Sequence, residues 1–119
     1  MATGFSDDID RAIEELPRPI VEFFRQLRAN PEYNCKALRM QMTVHFRGRK
    51  VGGLNRRTSQ WYVSKVFVRE NGSPDTMRSH GFRHVEHNET HNYWVAEGYG
   101  SMSAFENAVE DMTGVAIRS

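Results

Sequence analysis

Residues 34–47 read NCKALRMQMTVHFR. From Leu38 onward, apolar and polar side chains alternate. Leu38, Met40, Met42, Val44 and Phe46 fall on one side, and Arg39, Gln41, Thr43, His45 and Arg47 on the other. A period of two is the strand period, so the stretch predicts one long, half-buried strand. Such alternation favours an antiparallel sheet covered on one face only.

The segments downstream of this strand extend the sheet. Arg47-Gly48-Arg49-Lys50 predicts a hairpin turn in which Gly48 supplies a positive φ. Val51 to Asn55 is the expected return strand, with Gly52 and Gly53 marking a bulge or a close backbone approach. Gln60 to Arg69 is rich in aromatic and β-branched residues and predicts a third strand, ended by Asn71-Gly72. Ser73-Pro74-Asp75 opens a short helix over residues 74–80, closed by Gly81. Phe82 to His87 and Asn92 to Glu97 predict a further hairpin around Asn88-Glu89-Thr90. A last helix, about residues 103–112, carries Ser103 and Glu106 at capping-box spacing. Met102, Phe105, Ala108, Val109 and Met112 line one face of it, and Gly114 follows its end.

A helical pair, about residues 6–29, precedes the sheet region. Ser6 is the expected N-cap of the first helix, with Asp7, Asp8 and Asp10 at its positive end. Ile9, Ala12, Ile13 and Leu16 recur at helical spacing until Pro17 and Pro19 stop the helix. The second starts at Pro19, buries Ile20, Phe23, Phe24 and Leu27, and ends at Asn30-Pro31. The order is α-α-β-β-β-α-β-β-α, which predicts a single α+β domain over residues 1–119. Its antiparallel sheet, about residues 34–98, has four or five strands and helices packed mainly on one face. The expected core is Ile20, Phe23, Phe24, Leu27, Leu38, Met40, Met42, Val44, Phe46, Phe105 and Val109.

Composition sets the outer bounds. A chain of 119 residues fits one domain, and thirteen aromatic residues can anchor its core. A lone cysteine excludes an internal disulfide framework. No apolar run approaches the roughly 18 residues that span a bilayer. The start, MATGFSDDID, is acidic where a secretory signal carries basic residues. The expectation is a cytoplasmic domain with no membrane contact.

The stretches VHFRGRKVGGLN (44–55), QWYVSKVFV (60–68), SHGFRHV (79–85) and HNYWVAEG (91–98), followed by a closing helix, resemble the MmcQ/YjbR-like proteins. These are small α+β domains of the double-wing, CyaY-like type, often described as DNA-binding. The resemblance covers residues 36–113. It implies an α+β fold and a DNA-binding role, and it transfers no catalytic residues.

Charge is unevenly laid out. Residues 1–33 carry −3, residues 34–90 carry +7 and residues 91–119 carry −3. Arg39, His45 and Arg47 share a strand face, Arg49 and Lys50 sit at the turn, and Arg56 and Arg57 follow the return strand. Cations so placed can neutralise phosphates, and Trp61 or Tyr62 on an exposed sheet can stack unpaired bases. The expected nucleic-acid surface is therefore Arg39, His45, Arg47, Arg49, Lys50, Arg56, Arg57, Trp61 and Lys65. The plainer alternative is a solvated sheet whose Lys and Arg prevent edge pairing.

His80, His84, His87 and His91, with Glu86 and Glu89, are metal-ligand types. On a strand, however, His84 and His87 point to opposite faces, and no HExxH is present. Cys35 and His45 lie about 33 Å apart on one extended strand, too far to form a catalytic pair. GRKVGG lacks the Gly-Lys-Ser/Thr end of a P-loop. Tyr93 and Trp94 lie on opposite faces of their strand, so one of the two can join a binding surface. No catalytic residue, metal or cofactor is assigned. The leading expectation is a non-enzymatic module contacting nucleic acid or another polyanion. A protein-interaction, inhibitor or adaptor module, whose acidic and basic faces match a partner or a second copy, is the alternative. A metal-dependent enzyme using the 80–91 histidines is the third.

Overall fold

A computed structural model describes residue 11, residues 13–88 and residues 91–118. It is an α+β domain built on one six-stranded antiparallel sheet. The strands are β1 (Tyr33–Ala37), β2 (Gln41–Phe46), β3 (Arg49–Asn55), β4 (Gln60–Ser64), β5 (Arg83–Asn88) and β6 (His91–Glu97). Their lateral order is β1-β2-β3-β4-β6-β5. Four helices with both ends among the described residues accompany them: α1 (Arg18–Ala29), α2 (Lys65–Asn71), α3 (Pro74–Ser79) and α4 (Met102–Thr113). The cap proposed at Ser6 and the turn at Glu89-Thr90 lie outside the described residues; Ile13 and Leu16, not counted in the expected core, are buried, and Leu16 stands in the bend before Pro17 rather than inside a helix.

The predicted long strand is two strands. The chain turns back at Leu38-Arg39-Met40, where Leu38 N–H donates to the Gln41 carbonyl (2.8 Å). Leu38 and Met40 are therefore 49% and 45% exposed rather than in the core. The phase reverses across the turn: β1 points odd-numbered Tyr33 and Cys35 inward and Asn34 and Lys36 outward, while β2 points even-numbered Met42 and Val44 inward. Leu38 and Met40 hide the break because, although they sit in the turn, they extend the apolar phase of β2 back to residue 38. Phe46 is also not in the deep core. It is half-buried against Tyr33 (centroids 5.0 Å), under the Arg47 guanidinium.

The third strand is likewise shorter than expected. It stops at Ser64, and residues 65–71 form α2, burying Phe67 and Val68. Val66, Phe67 and Val68 favour a strand by propensity, but packing onto the core overrides that weak preference. The capping box at Ser103 is absent: α4 starts at Met102 after a 3₁₀ turn over Tyr99–Ser101, and Ser103 lies inside the helix. Glu106 instead forms a nearly buried pair with Arg118 (2.5 and 2.8 Å).

Other local readings hold. Arg47 and Gly48 both have positive φ, as a two-residue hairpin turn of type I′ requires. The Ser73 side chain caps α3 by accepting from Thr76 N–H (3.1 Å). Gly114 ends α4 in the left-handed conformation. The buried apolar side chains of all four helices join Met42, Val44, Leu54, Trp61, Val63, Trp94 and Ala96 in one core on one face of the sheet. Tyr62 and Val95 are buried but lie outside that core, on the opposite face.

Residues 115–118 complete the core. Tyr33 Oη donates to the Val115 carbonyl (2.6 Å), Asn30 Nδ2 donates to the carbonyls of Ala116 and Ile117, and Ile117 is buried. Arg118→Ala leaves the Glu106 carboxylate enclosed without its cation. Because Arg118 is partly solvated, the expected loss is about 2 kcal/mol, below the roughly 3–5 of a fully buried pair. Urea denaturation measures it, and Arg118→Lys is expected to recover only part, since a single ammonium replaces a two-pronged contact.

A candidate binding site on the uncovered face of the sheet

Strand register lays out the uncovered face in three lateral rows. At one end Gln41, Asn55, Gln60 and Glu97 stand side by side. The middle row runs Lys36, Thr43, Gly53, Tyr62, Val95, Arg83. At the far end lie Asn34, His45 and Lys50, and, beyond β3, Ser64 and Tyr93. The ladder is irregular between Val44 and His45, where Val51 is the extra residue of a bulge. That bulge keeps Lys50 beside His45.

The cationic part of this face is Lys36, His45 and Lys50. His45 Nε2 lies 3.2 Å from Thr43 Oγ1. Its pKa is held below the ordinary 6.5, first by burial and then by repulsion from Lys36 and Lys50. The Lys50 ammonium lies over the Tyr62 ring, 5.5 Å from its centroid. Partial burial lowers the Lys50 pKa. The outward residues of β1 and β2, and of β3 opposite them, include no carboxylate. On the β4–β6 side the one acid among the described outward residues is Glu97, bonded by Gln60 and Arg83, which lower its pKa.

Beside Lys50 is a recess of about 170 Å³, lined by Gln41, Asn55, Gln60, Tyr62, Tyr93 and Val95. Tyr62 and Tyr93 meet edge to face (centroids 5.1 Å, 69° between planes). The Tyr62 hydroxyl donates to Gln41 Oε1. Burial, then Tyr93, raises its pKa far enough to keep it protonated throughout the working range.

The nine residues expected to form one surface do not do so. Trp61 is 0% exposed, enclosed by Phe23, Phe24 and Phe105, and cannot stack a base. Trp61 and Tyr62 lie on opposite faces of β4, and the outward aromatic is Tyr62. Arg39, Arg56 and Arg57 stand at the end of the sheet opposite to Arg47 and Arg49, separated by the length of β2, about 17 Å. Arg56 is structural: it donates to the carbonyls of Leu38 (2.7 Å) and Arg39 (2.9 Å), fixing the β1–β2 turn. Arg47 pairs with Glu32 (2.9 Å) and Arg49 with Glu70 (2.6 Å). Lys65 opens α2, half-buried, just beyond β4. His45 and Lys50 remain at the site, joined by Lys36, Gln41, Asn55 and Tyr93. Lys36 was overlooked because one unbroken strand puts it on the apolar side with Leu38 and Met40, whereas the turn reverses the phase and brings it outward beside Thr43.

The other candidates disperse. His80 pairs with Asp111 (3.1 Å), and the His84 ring packs on Trp94 (5.0 Å). The side chains of His87 and His91 lie outside the described residues. Among the described residues, no three His, Cys, Asp or Glu side chains gather as a metal would need. Cys35 is buried, and burial pushes its thiol up to about 11. It is not 33 Å from His45, because β1 folds back beside β2; the two fail to pair because Cys35 points inward and His45 outward. No helix among the described residues is long and apolar enough to cross a membrane. No family model, curated protein or solved structure matches the chain.

Proposed function

We propose that the chain is a binding module, without a catalytic step, that contacts nucleic acid through the uncovered face of its sheet. The observation that carries this reading is the convergence of Lys36, His45 and Lys50 on a face whose β1–β3 part lacks carboxylates. Phosphates placed there would relieve the repulsion among the three groups and release counterions. The Arg47 and Arg49 pairs are exposed to solvent and screening, so phosphate can compete for both arginines. The resemblance of residues 36–113 to the MmcQ/YjbR-like proteins adds support from a family often described as DNA-binding.

The test is fluorescence anisotropy with labelled single-stranded DNA, duplex DNA and RNA at several salt concentrations. Lys36→Gln/Lys50→Gln is expected to weaken binding and to flatten the logarithmic salt slope for single strands by about 1.4, or about 0.7 per lost contact. Unchanged affinity and slope would discard the reading.

His45 supplies a pH signature. Its folded pKa is lower than the unfolded value, so its stabilising contribution is present above pH 6.5 and is lost as pH falls through the folded pKa. A bound phosphate favours the protonated ring, so affinity is expected to rise on acidification as stability of the free protein falls. His45→Gln should flatten both trends in paired binding and melting series at pH 5 to 8.

One observation favours a protein-interaction module instead. Leu38 and Met40 are exposed together at the β1–β2 turn, beside Arg39 and Arg57. A dimer persisting in high salt, with no nucleic-acid affinity, would support that alternative.

A further inference from the structure

We propose that the recess lined by Tyr62 and Tyr93 binds the base of an unpaired uridine or thymidine. This rests on the reading above and narrows its substrate to single-stranded, pyrimidine-bearing nucleic acid.

Size is the first ground. The recess holds about 170 Å³. A cavity of about 150 Å³ takes one benzene-sized ring, so a single six-membered ring fits and a fused purine overruns the site. The walls are the two tyrosine rings and Val95, surfaces against which a flat base packs well.

Hydrogen-bonding capacity is the second ground. Asn55 Oδ1 is occupied by the backbone N–H groups of Arg57 (3.0 Å) and Thr58 (3.2 Å). Gln41 Oε1 is occupied by the Tyr62 hydroxyl. Gln60 Nε2 is spent on both Glu97 oxygens. Among the described residues, the Nδ2 of Asn55 and the Nε2 of Gln41 make no hydrogen bond. The recess is therefore lined by two side chains, Gln41 and Asn55, whose amide donors are unspent. Uracil and thymine present two carbonyl oxygens, which match them. Cytosine presents one carbonyl oxygen and one amino group, so a donor would face a donor. Lys50, over the Tyr62 ring at the opposite end from Asn55, stands where the attached phosphate would lie.

The experiment compares equal-length labelled oligo(dT), oligo(dC) and oligo(dA) by anisotropy, using the full chain and Asn55→Asp. Aspartate keeps the Oδ1 that accepts from both Arg57 and Thr58 N–H, so the turn is retained, but it loses the donor. Oligo(dT) is expected to bind about tenfold tighter than oligo(dA), with oligo(dC) between. Asn55→Asp is expected to weaken all three by repulsion and to bring their affinities together. Equal affinities in the parent, or a thymine preference surviving in Asn55→Asp, would overturn the inference. Uridine, which has no phosphate, separates this inference from the reading beneath it. If no oligonucleotide binds, the nucleic-acid face is wrong, and uridine decides the recess alone. Shifts of the Gln41 and Asn55 side-chain amide resonances on adding uridine would sustain it, and their absence would end it.

Discussion

Trp61→Ala is expected to lose about 3–5 kcal/mol, a large share of the roughly 5–15 kcal/mol available to a domain of this size. The indole is fully enclosed. It stacks on Phe24 (5.8 Å, 18° between planes), meets Phe23 edge-on (5.6 Å) and packs against Phe105 (4.9 Å), joining α1 and α4 to the middle of the sheet. Its Nε1 donates to the Tyr99 carbonyl (3.2 Å), anchoring the turn that leads into α4. Removing it opens a cavity and leaves that carbonyl without its donor. Trp61→Phe restores most of the volume and is expected to lose less, with the Tyr99 carbonyl still unpaired. Urea unfolding of both variants checks the order. A Trp61→Ala protein as stable as the parent would contradict the packing described above, and base stacking on Trp61 would regain standing.

Gly52→Ala carries the second large effect. A Cβ at Gly52 would lie 2.0 Å from the Tyr62 carbonyl oxygen and 2.8 Å from the Val63 Cα, both backbone atoms of β4. Side chains can rotate away from an added methyl, but a paired strand cannot. Overpacking typically costs about 1–3 kcal/mol where neighbours yield, and here a loss of at least about 3 kcal/mol is expected. Gly48→Ala is the control. It strains a positive φ of 84° but meets nothing within 4 Å, so the expected loss is smaller, on the order of 1 kcal/mol. Denaturation midpoints for the two variants separate crowding from backbone strain.

Fold class was legible because alternation and breaker residues are local signals. The stripe of α1, the Gly48 turn and the Ser73 cap each follow from chemistry within a few residues. The Leu38-Arg39-Met40 turn was not legible. It contains no Gly, Pro, Asn or Asp, and it is held by Arg56, a residue distant in sequence. The division of residues 60–71 into strand and helix was hidden for a related reason: Val66, Phe67 and Val68 satisfy either period. The site was only partly legible. His45 and Lys50 stood out as cations, but charge along a sequence does not say which cations meet. Arg56 and Trp61 were drawn into scaffold roles by partners that no spacing rule links to them. The recess combines Gln41, Asn55, Gln60, Tyr62 and Tyr93 across four strands, and amides of this kind carry no motif.

The strand order has a kinetic consequence. Four of the five pairings, β1–β2, β2–β3, β3–β4 and β5–β6, join neighbours in sequence; only β4–β6 bridges an intervening stretch, the one holding α2, α3 and β5. Short loops close at low entropic expense, so a four-stranded meander and a separate hairpin can each form early. Their seam, along Gln60–Ser64 and Tyr93–Glu97, is then expected to form late. The recess straddles that seam, with Tyr62 on one side and Tyr93 on the other. Base-binding ability should thus be among the last properties the chain gains on refolding, and a ligand held there would slow the parting of the two halves.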